Sequence, residues 1–343
     1  SDPAKLVPDW VDANLPGNTV PLLHVRPGMT AAGERQYGSL TEAISSLPTE
    51  GARIVLSHAG PFDLTPVEIA GGLVIIEAAQ GIRPQIRLIA DGEHRKLPWL
   101  SATAGTLVLD GVDFIGDAAA VPASDPWSWV RVTSGHLYIR RSSFTLTGKR
   151  SAPTLALKLS GALTAKSSPA SALPRFLLDQ TVIRGEGLQC VQFESPGFEG
   201  IIRNSLLVAG DAPAISIRGT EKAQPNVARQ LRVLMSTVCS NQQALSLSSQ
   251  GTANPIQTDL IMLGALFAAP ADAHLPVLLS LEDWPPSTTS AGPYKNLSWN
   301  AASSAVLGFH PLLKLNSPEA ASVADGPAWR KLWNEQSPTT FST

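Results

Sequence analysis

The chain is poor in charged residues and in cysteine. Only 16% of its 343 residues are Asp, Glu, Lys or Arg, and the formal net charge is −2. Such a weak field argues against a nucleic-acid backbone or an anionic membrane as a partner. Cys190 and Cys239 are the only cysteines, and with six scattered histidines they form no zinc-binding pattern. We therefore expect no metal, no cofactor and two free thiols inside apolar runs.

Long hydrophobic runs are also missing. No apolar stretch approaches the roughly 18 residues that a membrane-spanning helix needs, and no secretory signal peptide is recognisable. We therefore expect that this segment does not insert into a membrane. The chain begins at Ser1 without a methionine. This start suggests a processed protein or a piece of a longer one, in which preceding residues could carry an activity.

What the chain does contain is an internal repeat. Pro98–Phe114 and Ser128–Phe144 align without a gap at an offset of 30 residues (128 minus 98), so that Phe114 matches Phe144. A fixed period of this size is typical of a solenoid, in which one supersecondary unit stacks on the next. Each unit holds two short alternating runs separated by a Ser/Thr/Gly corner, and alternation with period two indicates strands. The repeat therefore predicts a coil of β-strands.

Two columns of strands extend this repeat along the chain. In the first column, an apolar residue that should face inward follows each strand shortly: Phe114, Phe144, Ile183, Val208, Cys239 and Phe267. In the second, two apolar residues flank one residue of the opposite face: Arg131, Lys158, Gln192, Ser216, Ser246 and Ser280. Asp110 and Arg140 occupy the same repeat position. Since adjacent turns lie about 4.8 Å apart, we expect an outward ion pair between them.

The pattern divides the chain into three segments. Residues 1–36 are predicted as an irregular lead-in, residues 37–310 as the coil, and residues 311–343 as a C-terminal cap or tail. A helix at residues 39–47, with Leu40, Ala43, Ile44 and Leu47 on one face, would cover the first turn. A second short helix is predicted at Pro327–Glu335, with Trp329, Leu332 and Trp333 on one side sealing the far end. The sequence thus predicts an all-β, single-domain parallel β-helix with a cap at each end.

The segment YGSLTEAISSLPTEGARIVLSHAGPFDLTPVEI, Tyr37–Ile69, resembles the entry segment of the pectate-lyase-like superfamily. That resemblance implies a right-handed parallel β-helix. It implies function only weakly, because the superfamily includes lyases, hydrolases, esterases, phage fibres and non-catalytic sensors. The chain is also similar to non-catalytic β-helix regions attached to bacterial membrane serine/threonine kinases, although these residues contain no kinase motif.

Catalytic constellations of that superfamily are not recognisable. The carboxylate motifs of galacturonan hydrolases do not occur, and the outward residues of the second column contain no carboxylate to hold calcium. The stretch Gly111–Val121, GVDFIGDAAAV, resembles a pectin methylesterase motif whose aspartate is the nucleophile, which makes Asp113 the one weak catalytic candidate. The segments with its acid partner and its orienting arginine are missing, so we interpret Asp113 as a strand residue stacked over Ser143.

The remaining candidate site is aromatic and basic, and it consists of Trp99, Ser101, Trp127, Trp129, Arg131 and Lys158. Trp99 and Trp129 share a repeat position, and if they face outward their indoles form a flat platform beside the Arg131 guanidinium. Such a platform suits a sugar ring carrying an anionic group. The alternative is that the tryptophans turn inward at a corner or lie under the loop 117–126.

Three functions are compatible with these sequence features. The favoured one is a non-catalytic, secreted or extracytoplasmic domain that binds a ligand, most plausibly a glycan, as the sensor part of a larger protein. The second is a carbohydrate-active enzyme, a polysaccharide lyase or a pectinesterase-like protein, whose site follows no recognised pattern. The third is a purely structural spacer. A cluster of three or more carboxylates around one groove would favour the enzyme, whereas a bare or basic face favours binding.

Overall fold

A computed structural model describes most of the chain. The described residues are 7–12, 19–28, 35–89, 98–120, 127–150, 152–161, 173–219, 227–250, 255–286, 294–315, 322–333 and 339–342. Within them the strands form three long sheets, and every strand pairs in parallel with its neighbours. Consecutive strands of one sheet are separated in sequence by strands of the other two, so the chain winds as a coil with three strands per turn. The predicted all-β parallel β-helix is confirmed.

The strands have the following bounds. Sheet A contains, in spatial order, β2 (Gln36–Tyr37), β1 (Leu22–Val25), β3 (Gly51–Leu56), β6 (Leu73–Ala78), β9 (Gly105–Asp110), β12 (Gly135–Arg140), β15 (Arg175–Asp179), β18 (Phe198–Arg203), β21 (Ala228–Leu234), β24 (Gln257–Leu263) and β27 (Leu297–Ala302). Sheet B contains β30 (Thr340–Ser342), β28 (Ala305–Leu307), β25 (Leu266–Ala268), β22 (Thr237–Ser240), β19 (Leu206–Ala209), β16 (Val182–Gly185), β13 (Ser143–Thr147), β10 (Asp113–Asp117), β7 (Gln85–Leu88) and β4 (Phe62–Leu64). Sheet C contains β29 (Leu313–Leu315), β26 (Val277–Glu282), β23 (Gln243–Ser248), β20 (Ile215–Arg218), β17 (Leu188–Glu194), β14 (Thr154–Ser160), β11 (Trp127–Thr133), β8 (Leu100–Ala102) and β5 (Val67–Ile69).

The core is a set of inward-facing columns, one residue per turn. Phe114 and Phe144 are in register on neighbouring turns, and their rings stack with centroids 4.7 Å apart and planes 5° from parallel. Leu109 and Ile139 are likewise in register and fully buried. Stacking like side chains on successive turns removes both from water, and it is what the 30-residue repeat predicts.

In sheet B the predicted inward column is wrong by one residue on two turns. Ile183 is in register with Leu207, and Leu207 with Val238, so these fully buried residues face inward instead of Val208 and Cys239. Because side chains alternate along a strand, a slip of one residue moves a side chain to the opposite face. Cys239 is accordingly half-buried.

The two cysteines lie in different sheets, as predicted, and neither forms a disulfide. Cys190 is in sheet C and buried, whereas Cys239 is in sheet B and partly exposed. Burial raises the pKa of both thiols above the ordinary value. Both side chains therefore serve as apolar filling rather than as nucleophiles.

The corner between sheets A and B repeats the same backbone geometry on successive turns. Seven sheet A strands, from β9 to β27, are each followed by one residue in the left-handed region: Gly111 (φ 72°), Arg141 (50°), Gln180 (50°), Asn204 (49°), Met235 (46°), Gly264 (58°) and Ser303 (52°). Left-handed residues reverse the chain tightly, at a cost for any side chain other than glycine, unless surrounding contacts hold them.

The holding contacts come from a column of buried hydroxyl groups placed directly after the left-handed residue. These residues are Ser142, Thr181, Ser205, Ser236 and Ser304. Ser205 Oγ donates to the Arg203 carbonyl of its own turn (2.7 Å) and accepts from the Thr181 backbone N–H one turn earlier (3.2 Å). Ser236 repeats both bonds, to the Leu234 carbonyl (2.8 Å) and from the Ser205 N–H (3.1 Å). The hydroxyl column therefore ties neighbouring corners together, without a break from Thr181 through Ser205 to Ser236.

A helix covers each end of the coil. Helix α2 (Leu40–Ser45) begins after Ser39, whose hydroxyl accepts from the Glu42 backbone N–H (3.1 Å), and buries Leu40, Ala43 and Ile44. It ends two residues before the predicted Leu47. In helix α3 (Gly326–Trp333), the ring of Trp329 packs against Trp299 of the last sheet A strand, with the ring centroids 5.0 Å apart. Both predicted capping helices are present. A four-residue helix, α1 (Asp9–Asp12), and a 3-10 turn (Ala118–Ala120) complete the described helices.

Strands also occur outside the predicted limits of the coil. Strand β1 lies within the predicted irregular lead-in and pairs with β3. Beyond residue 310, β29 continues sheet C and β30 continues sheet B. The repeat fades in sequence there, but the free edge of the preceding turn still offers backbone donors and acceptors, so short segments of weak pattern can pair with it.

Replacing Ser205 with alanine tests the hydroxyl column. It should lower the free energy of unfolding by about 1–3 kcal/mol, because it leaves the buried Thr181 N–H without its acceptor. Urea unfolding followed by circular dichroism measures the change. The control is Ser128→Ala, since the Ser128 hydroxyl makes no hydrogen bond within the described part of the chain. Equal effects of the two substitutions would show that the column does not hold the corners.

Candidate functional site: a charged groove at the first corners

The structure does not place the three predicted tryptophans on the surface. Trp99, Trp127 and Trp129 are 0%, 2% and 0% exposed. They form one buried cluster, in which the ring centroids of Trp99 and Trp127 lie 4.5 Å apart and those of Trp127 and Trp129 5.5 Å apart. Of the two orientations that the sequence left open for Trp99 and Trp129, the inward one is therefore correct, and an indole sealed in the core cannot stack on a sugar.

A break in the alternation of sheet C explains this orientation. At one corner of the coil two consecutive residues face inward, for example Trp129 and Val130. The same pair of buried positions recurs on successive turns, as Trp99–Leu100, Ala156–Leu157, Cys190–Val191, Ala214–Ile215, Ala244–Leu245, Leu278–Leu279 and Leu312–Leu313. Residues beyond the break alternate as predicted, so the parity counted back from Val130 fails at Trp129.

A missing side chain provides the room for one of these indoles. Gly116 occupies an inward position of sheet B, and a Cβ at that position would lie 2.4 Å from Cζ2 of Trp129. The glycine is therefore required by the close approach of the ring and not by the backbone conformation. The large indoles fill the interior of the early turns, where later turns have alanine or cysteine at the equivalent position.

The remaining members of the predicted site face outward but do not form an open site. Ser101, Arg131 and Lys158 are in register on successive turns of sheet C, and the column continues as predicted through Gln192, Ser216, Ser246 and Ser280. Lys158 forms an ion pair with Glu194. Gln192, Ser216 and Ser280 are buried despite their outward position. The face is therefore covered along much of its length.

Asp113 lies where the sequence analysis places it, in register with Ser143. Both of its carboxylate oxygens are occupied. The Arg83 guanidinium donates to Oδ1 (2.6 Å) and to Oδ2 (2.9 Å), and Ser143 Oγ also donates to Oδ1. Asp113 thus accepts three hydrogen bonds and joins Arg83 to Ser143 of the next turn, as a structural anchor does.

The ion pair predicted between Asp110 and Arg140 does not form, although the two residues are in register. Asp110 instead accepts two hydrogen bonds from Arg141, the left-handed corner residue, at 2.9 and 2.7 Å. Arg140 donates to the backbone carbonyl of Val11 (2.8 Å). The hydrogen-bond partner of Arg140 thus lies 129 residues away in the chain, a contact that no local pattern could show.

These corner residues line an open groove of about 670 Å³. It runs across the first turns on the outside of the corner between sheets A and B, and its lining includes Arg53 and Val55 of β3, Glu77 and Ala78 of β6, Asp110 of β9, Arg83, Arg141 and Leu22. Its volume lies in the range of roughly 300–1,000 Å³ that is common for ligand sites. We call this feature the charged groove.

Ion pairs hold the polar side chains of the charged groove in place. Arg53 Nε donates to Glu77 Oε1 (2.8 Å), diagonally across neighbouring strands. The side chain of Arg141 is 65% exposed, whereas that of its partner Asp110 is 18% exposed. The hydrogen bonds that Arg141 donates to Asp110, followed by the negative charge of that carboxylate, raise the pKa of the Arg141 guanidinium. Each of the three guanidinium groups has a carboxylate partner: Glu77 for Arg53, Asp110 for Arg141 and, just outside the groove lining, Asp113 for Arg83.

The sequence did not reveal this groove because its charged residues lie at different places in the repeat. Arg53 lies within a strand, Glu77 and Asp110 lie near strand ends, and Arg83 and Arg141 lie in corners. Glu77 shares the repeat position of Asp110 and Arg140 but was not among the predicted site residues. Opposite charges at one position of a repeat were the available signal, and they were used only for Asp110 and Arg140. In the corners, loop length hides the repeat.

The described residues contain no group of three or more His, Cys, Asp or Glu side chains placed to bind a metal ion. None of their helices has the length and apolar character needed to cross a bilayer. Comparisons with protein-family models, with curated proteins and with solved structures found no match. The function must therefore be argued from the groove itself.

The buried position of Trp129 can be tested through Gly116. Gly116→Ala should lower the free energy of unfolding by about 1–3 kcal/mol, because the new methyl group overlaps the indole. The double variant Gly116→Ala/Trp129→Phe should recover part of this loss, since phenylalanine lacks the distal ring. Urea unfolding of the parent, both single variants and the double variant measures the coupling. Strictly additive effects would contradict the buried position of the indole.

Proposed function

We propose that this β-helix is a non-catalytic binding domain whose charged groove takes an oligosaccharide with an acidic group. The observation that carries the proposal is the convergence of three guanidinium groups, from Arg53, Arg83 and Arg141, on one open groove of ligand size. Guanidinium groups are strong donors to carboxylates, and since Nε and Nη2 of Arg141 already donate to Asp110, a ligand carboxylate would bind the remaining Nη1 donor of this group. The carboxylates and backbone groups beside them suit the hydroxyl groups of a sugar.

The ion pairs of the groove favour binding because they hold the side chains in place before a ligand arrives. Arg83 donates through Nε and Nη2 to Asp113 and through Nη1 to the Arg141 carbonyl, so one guanidinium joins two corners. Ordering a flexible side chain on binding costs about 0.5–1.5 kcal/mol. Side chains already ordered avoid most of that cost, so a modest number of contacts is enough for useful affinity.

The same ion pairs argue against the alternative, a polysaccharide lyase or pectinesterase-like enzyme. General acid catalysis needs a carboxyl group that carries a proton, and a covalent mechanism needs a carboxylate with a free oxygen. Asp110 and Asp113 accept from an arginine through both carboxylate oxygens, and Glu77 accepts through Oε1. The carboxylates thus serve to order the guanidinium groups, a role that suits recognition better than acid or nucleophilic catalysis.

We extend the proposal to the setting of the domain. The fold and the entry segment at Tyr37–Ile69 fit a pectate-lyase-like β-helix, and the absence of a catalytic constellation among the described residues fits a sensor better than an enzyme. On this proposal the chain is the extracytoplasmic ligand-sensing part of a larger protein, of the kind attached to bacterial membrane serine/threonine kinases. This extension rests on the resemblance, whereas the binding site rests on the groove.

Tetragalacturonate and its methyl ester form a matched pair of probes for the charged groove. The parent protein should bind the acid more tightly than the ester, because only the acid can pair with the guanidinium groups. Arg53→Met and Arg141→Met should each weaken binding of the acid about tenfold or more, the value of a lost charge-assisted hydrogen bond. Isothermal titration calorimetry measures these affinities.

The matched control is Arg87→Met. Arg87 forms a comparable pair with Asp63 (2.7 Å), but on sheet B and outside the groove lining. Its loss should leave the affinity unchanged. Equal binding by the parent and both groove variants would refute the site. Methanol release from the ester that is abolished by Asp113→Ala would favour the esterase over the binding domain.

A further inference from the structure

The N-terminal segment packs on the outer face of sheet A. Val11 of α1 is 1% exposed and belongs to an apolar cluster with Ile75, Val108 and Tyr138. The Trp10 ring stacks on Tyr138 with centroids 5.8 Å apart, and the Arg175 guanidinium lies 5.2 Å from the Trp10 centroid. An apolar column on the outside of the coil is thus covered by the chain itself.

This packing also decides the partner of Arg140. Arg140 lies in register between two carboxylates, Asp110 on one side and Asp179 on the other. Asp179 is occupied by Arg203 (3.0 Å), and the recorded hydrogen bond of Arg140 goes to the Val11 carbonyl (2.8 Å). Asp110 is then left to Arg141. The N-terminal segment therefore holds away the arginine that would otherwise compete for Asp110.

Arg140 and Arg141 are both close enough to compete for Asp110. Arg140 and Asp110 are neighbours across a parallel ladder, where side chains at the same position lie about 5 Å apart. The existing Asp110–Arg141 pair is largely exposed on its arginine side, and exposed pairs contribute only about 0–1 kcal/mol. Because the Asp110–Arg141 pair is weak, an Arg140 released from Val11 can compete with Arg141 for Asp110.

We propose that docking of residues 7–12 regulates the charged groove through this choice of partner. When the segment is docked, Arg140 is bound to Val11 and Asp110 positions Arg141 at the groove. When the segment is released, Arg140 takes Asp110, and Arg141 loses the contact that orders it. Arg140 is a positioning residue in this scheme, since it does not line the groove. The effect on ligand affinity rests on the function proposed above, but the exchange of partners does not.

The coupling must act in both directions. If docking raises the affinity of the groove for a ligand, the ligand stabilises docking by the same factor. A change at the N-terminus would then reach the groove through one guanidinium group, without a movement of the coil. Coupling of this kind needs a contact that differs between the docked and the released state. The side chain of Arg140 provides it, because it binds Val11 in one state and Asp110 in the other.

The exchange can be observed without a ligand. Trp10→Ala/Val11→Ser removes the apolar anchors of the segment from the full-length chain while leaving the coil intact, which circular dichroism checks. Arginine Nε–H signals, assigned by Arg→Lys substitutions in isotope-labelled protein, report which guanidinium is hydrogen-bonded through slowed solvent exchange. The undocked variant should lose protection at Arg141 and gain it at Arg140. Arg87, whose Nε donates to Asp63 at 2.7 Å, should remain unchanged.

A rescue variant completes the test. Adding Arg140→Met to the undocked variant should restore protection at Arg141, because no competitor for Asp110 remains. Undiminished protection of Arg141 in the undocked variant, or loss that Arg140→Met does not restore, would overturn the proposal. Tetragalacturonate affinity should fall in the undocked variant and recover in the rescue variant. If protection exchanges as expected but no variant binds the sugar, the switch stands and the proposed ligand is wrong.

Discussion

The tied corner between sheets A and B is the constraint on which the rest of this structure depends. On successive turns one residue enters the left-handed region, and the hydroxyl group that follows it bonds both its own turn and the turn before. A residue such as Arg141 or Met235 pays for its positive φ, and the buried hydrogen bonds offset that cost. Because this left-handed corner recurs on each turn from β9 to β27, the strands that leave it start in register, and the inward columns of all three sheets can stack.

The charged groove is a by-product of that corner. A left-handed residue projects its side chain away from the coil, and on one early turn this residue is an arginine. Arg141 therefore stands beside the last residue of the neighbouring strand, Asp110, while Arg83 reaches across from the adjoining loop. The buried core contributes to this arrangement only by keeping the backbone rigid. Recognition by the outside of a rigid coil is thus separated from stability, which resides in the columns within.

Features of this structure that depend on interactions between residues close in sequence could be predicted, whereas those that depend on distant residues could not. Period-two alternation and the 30-residue repeat are local, and they predicted the coil, the stacked Phe114–Phe144 pair, the outward column from Arg131 to Ser280 and both capping helices. The errors occurred where one extra residue changes parity. Trp129 lies at a break in the alternation, and Val208 and Cys239 lie one position beyond the true inward residues.

The sequence by itself determined the fold class, because each inward column is written in the chain as an apolar residue recurring once per turn. It also determined that acidic and basic residues recur at one outward position. Only the tertiary structure decided which charges meet. Asp110 has an arginine in register beside it, yet pairs with another, because Val11 takes the first. A contact between residues 11 and 140 leaves no trace in any repeat, since pairing energies of exposed charges are small and the nearest competitor decides the outcome.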